Sequence, residues 1–324
     1  MIVNLFRHTQ ALSILSVFLL TITMWSFLSY QEFSEVSNGL SPLYEGVISP
    51  ILNYSIIARI LTGVFIFWQA LMVNKLMIGQ GIYSTNTFYP ALLFVLISSA
   101  SPVFMHLSPN FIALLFLIIA IQKIINCYLA KNAHTLIFES AFLLSIAILI
   151  HPPYLLFSPL IWIGMSIFSL GEWRCWVLSV LGLACPLIIG FTLGAYFKIQ
   201  YLNFNSLLLF FEQTQVVSQF SIFDLLSFSI FGIAIILAII EVIFSLKKKK
   251  IKARKSFVLI LWLFLFQGLY LFVDPSPLSS KLQILALPAS IFISNYYYYK
   301  KTTTWIKVSL YILVFTVLLH QYWV

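Results

Sequence analysis

Long, nearly uninterrupted apolar runs follow one another along this chain. Of its 324 residues, 61% are hydrophobic and 8% are charged, whereas a soluble domain carries about 25% charged residues. A globule in water needs polar groups over its surface, so this composition fits lipid as the surrounding solvent. The runs are continuous rather than alternating, which favours helices over the strands of a barrel. The sequence therefore predicts one integral membrane domain over 1–324, an all-α transmembrane bundle.

The apolar runs predict about eleven spans, because a membrane-crossing helix needs about 20 apolar residues. The first run is too long for a typical signal peptide and no small-x-small cleavage site follows it, so we expect a retained helix. Two long outer loops, 31–54 and 197–225, separate spans, and the second is expected to hold a helix along the membrane surface. The predicted spans are 11–30, 55–77, 87–105, 110–130, 135–150, 154–170, 175–196, 226–246, 256–273, 282–299 and 304–322.

The positions of the basic residues predict the orientation of the bundle. With the N-terminus inside and the C-terminus outside, fifteen of the eighteen lysine and arginine residues face the cytoplasm, including the run from Lys247 to Lys255. Arg59, Lys198 and Lys281 face the outer side. This asymmetry follows the positive-inside rule, and a single missed span would destroy it. We expect a multi-pass protein of a bacterial inner membrane that contacts anionic lipid headgroups.

Several classes of function are disfavoured by what the sequence contains. The net charge of +9 comes from residues between apolar runs, so it reports topology and predicts no nucleic-acid partner. The three cysteines form no CxxC pair and the histidines are scattered, so we expect neither a disulfide nor a metal site. No Walker A loop or GxGxxG sequence is present, which argues against nucleotide-driven pumping and predicts no cofactor.

The first outer loop carries the candidate catalytic residues. Glu32 and Glu35 come directly after the first predicted helix, where a carboxylate can act as a general base or hold a divalent cation. The alternative is an ordinary solvated acidic loop. Tyr44 follows in Ser41-Pro42-Leu43-Tyr44 and suits the headgroup region.

Basic groups on the outer side are the candidates for binding a phosphate. Arg59 lies just inside the second predicted span, and its guanidinium matches phosphate oxygens with a bidentate fork. Lys198, Lys281 and His151 lie on the same side, although each could be structural. His151-Pro152-Pro153 is expected to form a tight outer turn.

These features resemble the membrane core of C-type glycosyltransferases, which use polyprenyl-phosphate-linked sugars. In that family an acidic motif follows the first helix and a Pro-Leu-Tyr segment follows in the same loop. Here Glu32 and Glu35, both glutamates, stand at the acidic positions, and Pro42-Leu43-Tyr44 stands at the second motif. The chain also resembles an uncharacterised bacterial family of polytopic inner-membrane proteins, which shares the opening Asn4-Leu5-Phe6-Arg7.

The glycosyltransferase resemblance implies a GT-C-like core that acts on a polyprenyl-phosphate-linked sugar at the outer face. In this interpretation Glu32 or Glu35 activates the acceptor hydroxyl, and Arg59 with Lys198 or Lys281 holds the lipid phosphate. Two alternatives remain open at this point. The chain could be a non-catalytic membrane component of an envelope-assembly or secretion complex with unidentified protein partners, or it could be a transporter or flippase.

Overall fold

The structure is a computed structural model, and its described residues form helices joined by short turns. It describes residues 11–26, 44, 55–79, 87–100, 108–196, 222–276, 278–299, 308, 310–315 and 317. Within these ranges no β-strand occurs. The α-helices are α1 Ala11–Ser26, α2 Ser55–Ile78, α3 Tyr89–Ser98, α4 Pro109–Asn126, α5 Ala133–Ile150, α6 Pro159–Ile167, α7 Trp173–Tyr196, α8 Ile222–Ser245, α9 Ile251–Val273, α10 Leu278–Lys281 and α11 Ala286–Tyr299. Three 3₁₀ segments, Pro152–Phe157, Leu246–Lys248 and Leu282–Leu285, join neighbouring helices.

Six helical segments in the described ranges are long and apolar enough to cross a membrane. They are Ile60–Ile78, Pro109–Asn126, Ala133–Ile150, Trp173–Tyr196, Leu225–Lys248 and Ile251–Val273. Three shorter apolar helices, Ser13–Met24, Tyr89–Ser98 and Pro152–Ile167, accompany them. The chain is therefore an all-helical membrane protein.

The predicted spans 87–105 and 154–170 correspond to shorter helices than expected. All ten residues of α3 are buried, and ten residues cover only about 15 Å along a helix axis. The predicted span 154–170 begins instead as the 3₁₀ segment Pro152–Phe157, and α6 starts at Pro159. Most of the loop 31–54 and residues 197–221 lie outside the described residues.

Polar contacts between helix ends define two ends of the bundle. At one end Lys252 Nζ donates to Gly79 O over 3.2 Å and Lys255 Nζ donates to Ser169 Oγ over 3.2 Å. Lys249 Nζ also donates there to Asn295 Oδ1 over 2.7 Å. We call this the basic end. It brings together the last residues of α2, α6 and α11 with the first turn of α9.

The opposite end, which we call the His151 end, gathers the start of α4, the end of α5 and the end of α9. Ser108 caps α4 there by accepting a hydrogen bond from Phe111 N over 3.2 Å, with Pro109 at the first helical position. A serine cap and a proline in the first position are typical of helix starts. Backbone N–H groups in the first turn have no partner within the helix; proline has no N–H, and the serine side chain accepts a hydrogen bond from one of the others. The cap fixes the position of Asn110 in the first turn.

Helices α5 and α7 pack in parallel along a seam of small residues. His134 Nδ1 lies 3.1 Å from Cys175 Sγ near the two helix starts, and Ser145 Oγ donates to Leu183 O over 2.6 Å further along. The buried residues of α7 recur every three or four positions and are mostly small: Cys175, Ser179, Gly182, Pro186, Gly190 and Gly194. Small side chains let two backbones approach closely, which is how helices associate in lipid.

Candidate functional site

The most concentrated set of buried polar side chains in the described residues lies at the His151 end. We call it the His151 cluster. It comprises Asn110, His151, Tyr154, Tyr270, Asp274, Ser276 and Lys281. The side chains come from three parts of the chain that are far apart in sequence, namely Asn110, the pair His151 and Tyr154, and residues 270–281, so the fold assembles the cluster.

Local structure explains why these groups meet. His151 ends α5 in an extended conformation, with φ −143° and ψ 102°, and the prolines that follow cannot continue the helix. The chain then turns into the 3₁₀ segment that carries Tyr154. On α9, Tyr270 and Asp274 are four residues apart and so lie on one helix face. The helix end therefore presents a phenol and a carboxylate side by side.

Asp274 is the centre of the cluster and is fully buried. Its Oδ2 accepts hydrogen bonds from Tyr270 Oη over 2.6 Å and Ser276 Oγ over 2.7 Å, while Oδ1 accepts one from Ser276 N over 3.0 Å. His151 Nε2 lies 3.2 Å from Oδ2. Burial acts to raise the pKa of the Asp274 carboxyl, but the facing His151 and the hydrogen bonds from His151, Tyr270 and Ser276 outweigh it. The pKa therefore lies well below its ordinary value, and the group is a carboxylate at neutral pH.

The two tyrosines connect Asp274 to the start of α4. Tyr154 Oη lies 2.9 Å from both Asn110 O and Asn110 Oδ1, and Tyr270 Oη lies 3.0 Å from Asn110 Oδ1. Tyr270 Oη is also 2.9 Å from His151 Nε2. The Tyr154 and Tyr270 rings meet edge to face at 5.7 Å, so apolar packing and polar contacts hold the same groups.

Lys281 contributes a buried cation beside this carboxylate. Its side chain is 2% exposed, and its Nζ donates to the backbone carbonyl of Asp274 over 2.6 Å. Among the described residues this is its one hydrogen bond, although an ammonium carries three N–H donors. Burial lowers the pKa of the Lys281 ammonium, and the Asp274 carboxylate offsets part of that effect. Its other two donors have no partner in the described part of the chain, and an anionic group is the partner that they favour.

The cluster can provide acid–base chemistry and anion binding. A histidine hydrogen-bonded to a carboxylate is an arrangement found in general acid–base sites, and a buried ammonium favours an anionic oxygen. Across the described ranges, no group of three or more histidine, cysteine, aspartate or glutamate side chains could hold a metal ion.

Comparison with known proteins gives one match. The model of a family of unknown function, DUF6427, matches residues 43–323. The chain belongs to this family. No curated protein and no solved structure matches it. As a DUF6427 member the chain agrees with the expected membership in an uncharacterised family, and the glycosyltransferase resemblance stays a prediction.

Two of the residues predicted to bind substrate, His151 and Lys281, lie together in the His151 cluster. Tyr44 is 4% exposed and packs in the hydrophobic core. Arg59 lies in α2, where the structure describes its backbone and not its side chain. Glu32, Glu35 and Lys198 lie outside the described residues, so the predicted outer cavity between the glutamates and Arg59 stays a prediction.

Sequence reasoning missed the other members of the cluster. No role was assigned to Asn110, Tyr154, Tyr270 or Asp274 from the sequence. One signal was available, because Tyr270 and Asp274 stand four residues apart at the end of an apolar run, where Pro275 ends the helix. Their pairing with His151, 123 residues away from Asp274 in sequence, could not be read from the chain.

Proposed function

We propose that this protein handles a polyprenyl-phosphate-linked sugar at the outer face of a bacterial inner membrane, with a glycosyltransferase-like reaction. The observation that carries the proposal is the buried Lys281 ammonium, which makes one hydrogen bond among the described residues and lies beside Asp274. A buried cation is costly unless it is paired. The phosphate of a lipid carrier adds acceptor oxygens and a second negative charge to the one that Asp274 already places beside this ammonium.

The proposal includes the orientation of the bundle and its eleven spans. Lys247, Lys248 and Lys250 are exposed at the basic end, and the positive-inside rule places such a run in the cytoplasm. The His151 end then faces outward, where the loop with Glu32 and Glu35 is also expected. The proposed catalytic glutamate and the Lys281 ammonium that would bind the phosphate then lie on the same side of the membrane.

In the proposed reaction, Glu32 or Glu35 accepts the proton of an acceptor hydroxyl. The acceptor oxygen forms a bond to the anomeric carbon as the bond from that carbon to the carrier phosphate breaks. Arg59, Lys198 and Lys281 stabilise the charge on the departing polyprenyl phosphate. Tyr44 and His151 help to bind the substrate.

Binding of a short-chain polyprenyl phosphate to the protein in nanodiscs tests the role of Lys281. Lys281→Met keeps the length of the side chain and removes its charge, and we expect at least tenfold weaker binding. Lys131→Met is the matched control, because Lys131 is exposed at the basic end. Equal affinity of Lys281→Met and the native protein would overturn the phosphate site.

Transfer is tested separately with a panel of radiolabelled short-chain polyprenyl-phosphate sugars in membrane vesicles. Glu32→Ala or Glu35→Ala should abolish sugar transfer while leaving membrane insertion intact. Glu45→Ala, in the same loop, should transfer normally. If Glu32→Ala and Glu35→Ala both transfer sugar at the native rate, neither glutamate is the base.

A second candidate is a non-catalytic membrane component of an envelope-assembly or secretion complex. It is favoured by the closed character of the His151 cluster, since Asp274, His151 and both tyrosines are buried and contact one another. In this alternative the network stabilises the contact between the helix ends and binds no substrate. In that case Lys281→Met lowers the unfolding temperature, and the native protein binds no polyprenyl phosphate.

A further inference from the structure

An open groove lies between α6 and α7 on the surface of the helix bundle. It has a volume of about 500 Å³ and is lined by Trp162, Trp176, Val177, Val180 and Leu181. Trp176 is 45% exposed and Val180 is 55% exposed. The walls of the groove are apolar. Four of its five lining residues belong to Trp173–Tyr196, one of the segments that can cross a membrane. Among the described residues no other helix covers the groove, so this wall of the bundle is the one that would face lipid.

One hydrogen bond between the two helices and one within α7 fix the shape of the groove. Trp162 Nε1 donates to Ser179 Oγ over 3.1 Å, and Ser179 Oγ donates to Trp176 O over 2.7 Å. Ser179 is itself fully buried in the seam against α5. The hydrogen bond to Ser179 on α7 thus fixes the Trp162 side chain, which forms one wall of the groove. The groove is therefore formed without a ligand.

Arg174 lies in the first turn of α7, on the helix face that carries the groove residues Val177 and Leu181 three and seven positions later. Arg174 is exposed, two residues before Trp176, and makes no ion pair within the described ranges. Glu172, two residues earlier, pairs instead with His134 over 3.1 Å. The start of α7 adjoins the start of α5 at Cys175 and His134, and this places Arg174 at the basic end. Its guanidinium can therefore meet a phosphate at headgroup depth.

We propose that this groove binds one acyl chain of an anionic phospholipid whose phosphate is held by Arg174. From Arg174 to Leu181 the helix rises about 10 Å, which is about two thirds of the thickness of one hydrocarbon leaflet of about 15 Å. Apolar walls at chain depth and a cation at headgroup depth are the two features that this ligand requires. Tryptophans at the boundary between them are typical of the membrane interface.

The test is native mass spectrometry of the full chain with phosphatidylglycerol or phosphatidylcholine. Arg174→Gln should weaken phosphatidylglycerol binding at least fivefold and leave phosphatidylcholine binding unchanged. Trp176→Ala should weaken the binding of both lipids. Trp262→Ala is the matched control, because Trp262 is 42% exposed on α9 and is not among the residues that line the groove.

A phosphatidylglycerol with a photoreactive acyl chain locates the bound lipid directly. We expect adducts within residues 176–181, and fewer of them in Trp176→Ala at an unchanged unfolding temperature. Adducts spread evenly over α7 and α8, or equal losses in Trp262→Ala, would overturn the proposal. A dimer that Trp176→Ala dissociates and that Arg174→Gln leaves intact would overturn it too, since the groove would then bind a second copy of the chain.

Discussion

Asp274 is charged in the interior because hydrogen-bond donors surround it on both carboxylate oxygens. Tyr270 Oη and Ser276 Oγ donate to one oxygen over 2.6 and 2.7 Å, and Ser276 N donates to the other over 3.0 Å. Each donor exchanges a hydrogen bond to water for one within the protein, so the carboxylate keeps its charge without bulk solvent. Its stability contribution therefore depends on pH.

Asp274→Asn should destabilise the protein by about 3 kcal/mol at pH 7, because it removes one partner from a buried charged network. The pKa of Asp274 is lowered in the folded state, so the carboxylate stabilises the fold at pH values above the unfolded pKa of about 4. That contribution is lost as the pH falls toward the folded pKa. The unfolding temperatures of the native protein and Asp274→Asn in detergent should therefore differ at pH 7, and the difference should shrink as the pH is lowered toward 3.

Two buried glutamines in helices that can cross the membrane make a matched pair. Gln69 Nε2 donates to Phe111 O over 2.8 Å, which links α2 to α4, while Gln69 Oε1 has no hydrogen-bond partner in the described part of the chain. Gln267 is fully buried on α9, and neither of its amide atoms has a hydrogen-bond partner in the described part of the chain. A buried amide without partners costs about 1–3 kcal/mol, whereas a made hydrogen bond contributes about 1 kcal/mol.

Gln69→Met should therefore lower the free energy of unfolding by about 1 kcal/mol, and Gln267→Met should leave it unchanged or raise it. Both substitutions conserve volume closely, so packing losses should be similar. Chemical denaturation in the same detergent measures the difference. A loss in Gln267→Met as large as that in Gln69→Met would mean that a bound polar group pairs with Gln267.

At the residue scale the sequence indicates which side chains are candidates for a site, but it does not indicate which residues they contact. His151 and Lys281 were candidates because they lie on the predicted outer side, where basic groups could bind a phosphate, and both lie in the cluster. Asn110 and Tyr154 carry no charge and follow no motif. Their role depends on the 44-residue separation that the fold closes between them, and no local pattern encodes such a contact.

At the element scale, Gly182 sets the distance between α5 and α7. A Cβ added at Gly182 would lie 2.7 Å from Phe138 O and 2.7 Å from Ala141 Cβ, while one added at Gly232 on α8 meets nothing within 4 Å. Gly182→Ala must separate the two backbones, and overpacking of this kind costs about 1–3 kcal/mol. Gly232→Ala should be neutral or stabilising, because alanine is the better helix former. Unfolding temperatures that rank the two variants in the opposite order would contradict the close α5–α7 contact.

Helix positions were largely predictable, but helix lengths were not. Each of the first ten predicted spans contains at least part of a described helix, because continuous apolar runs indicate burial away from water. Such a run does not distinguish a lipid neighbour from a protein neighbour. In α3 every residue from Tyr89 to Ser98 is buried, so its apolar sequence reflects surrounding helices rather than a full crossing of the membrane.

At the scale of the whole molecule, the remaining question is which end of the bundle faces the cytoplasm. The basic lysines and the His151 cluster lie at opposite ends of α9, a segment of 23 residues that rises about 35 Å. If the lysines are cytoplasmic, the cluster must be outside, and the proposed reaction has its carbohydrate carrier and its glutamates in one compartment. The reverse orientation would place Lys281 and the first long loop in the cytoplasm.

A membrane-impermeant maleimide applied to intact cells decides the orientation. Lys131→Cys lies at an exposed position at the basic end, and Leu155→Cys lies at the His151 end, where Leu155 is 43% exposed. The native Cys127 and Cys175 are buried, and Cys185 is replaced by serine in every variant. We expect Leu155→Cys to react in intact cells and Lys131→Cys to react only after the membrane is permeabilised, because moving the lysine run across the bilayer costs several kcal/mol per charge. The opposite labelling pattern would place the His151 end in the cytoplasm, and the proposed outer-face reaction would then lack its substrate-binding cation.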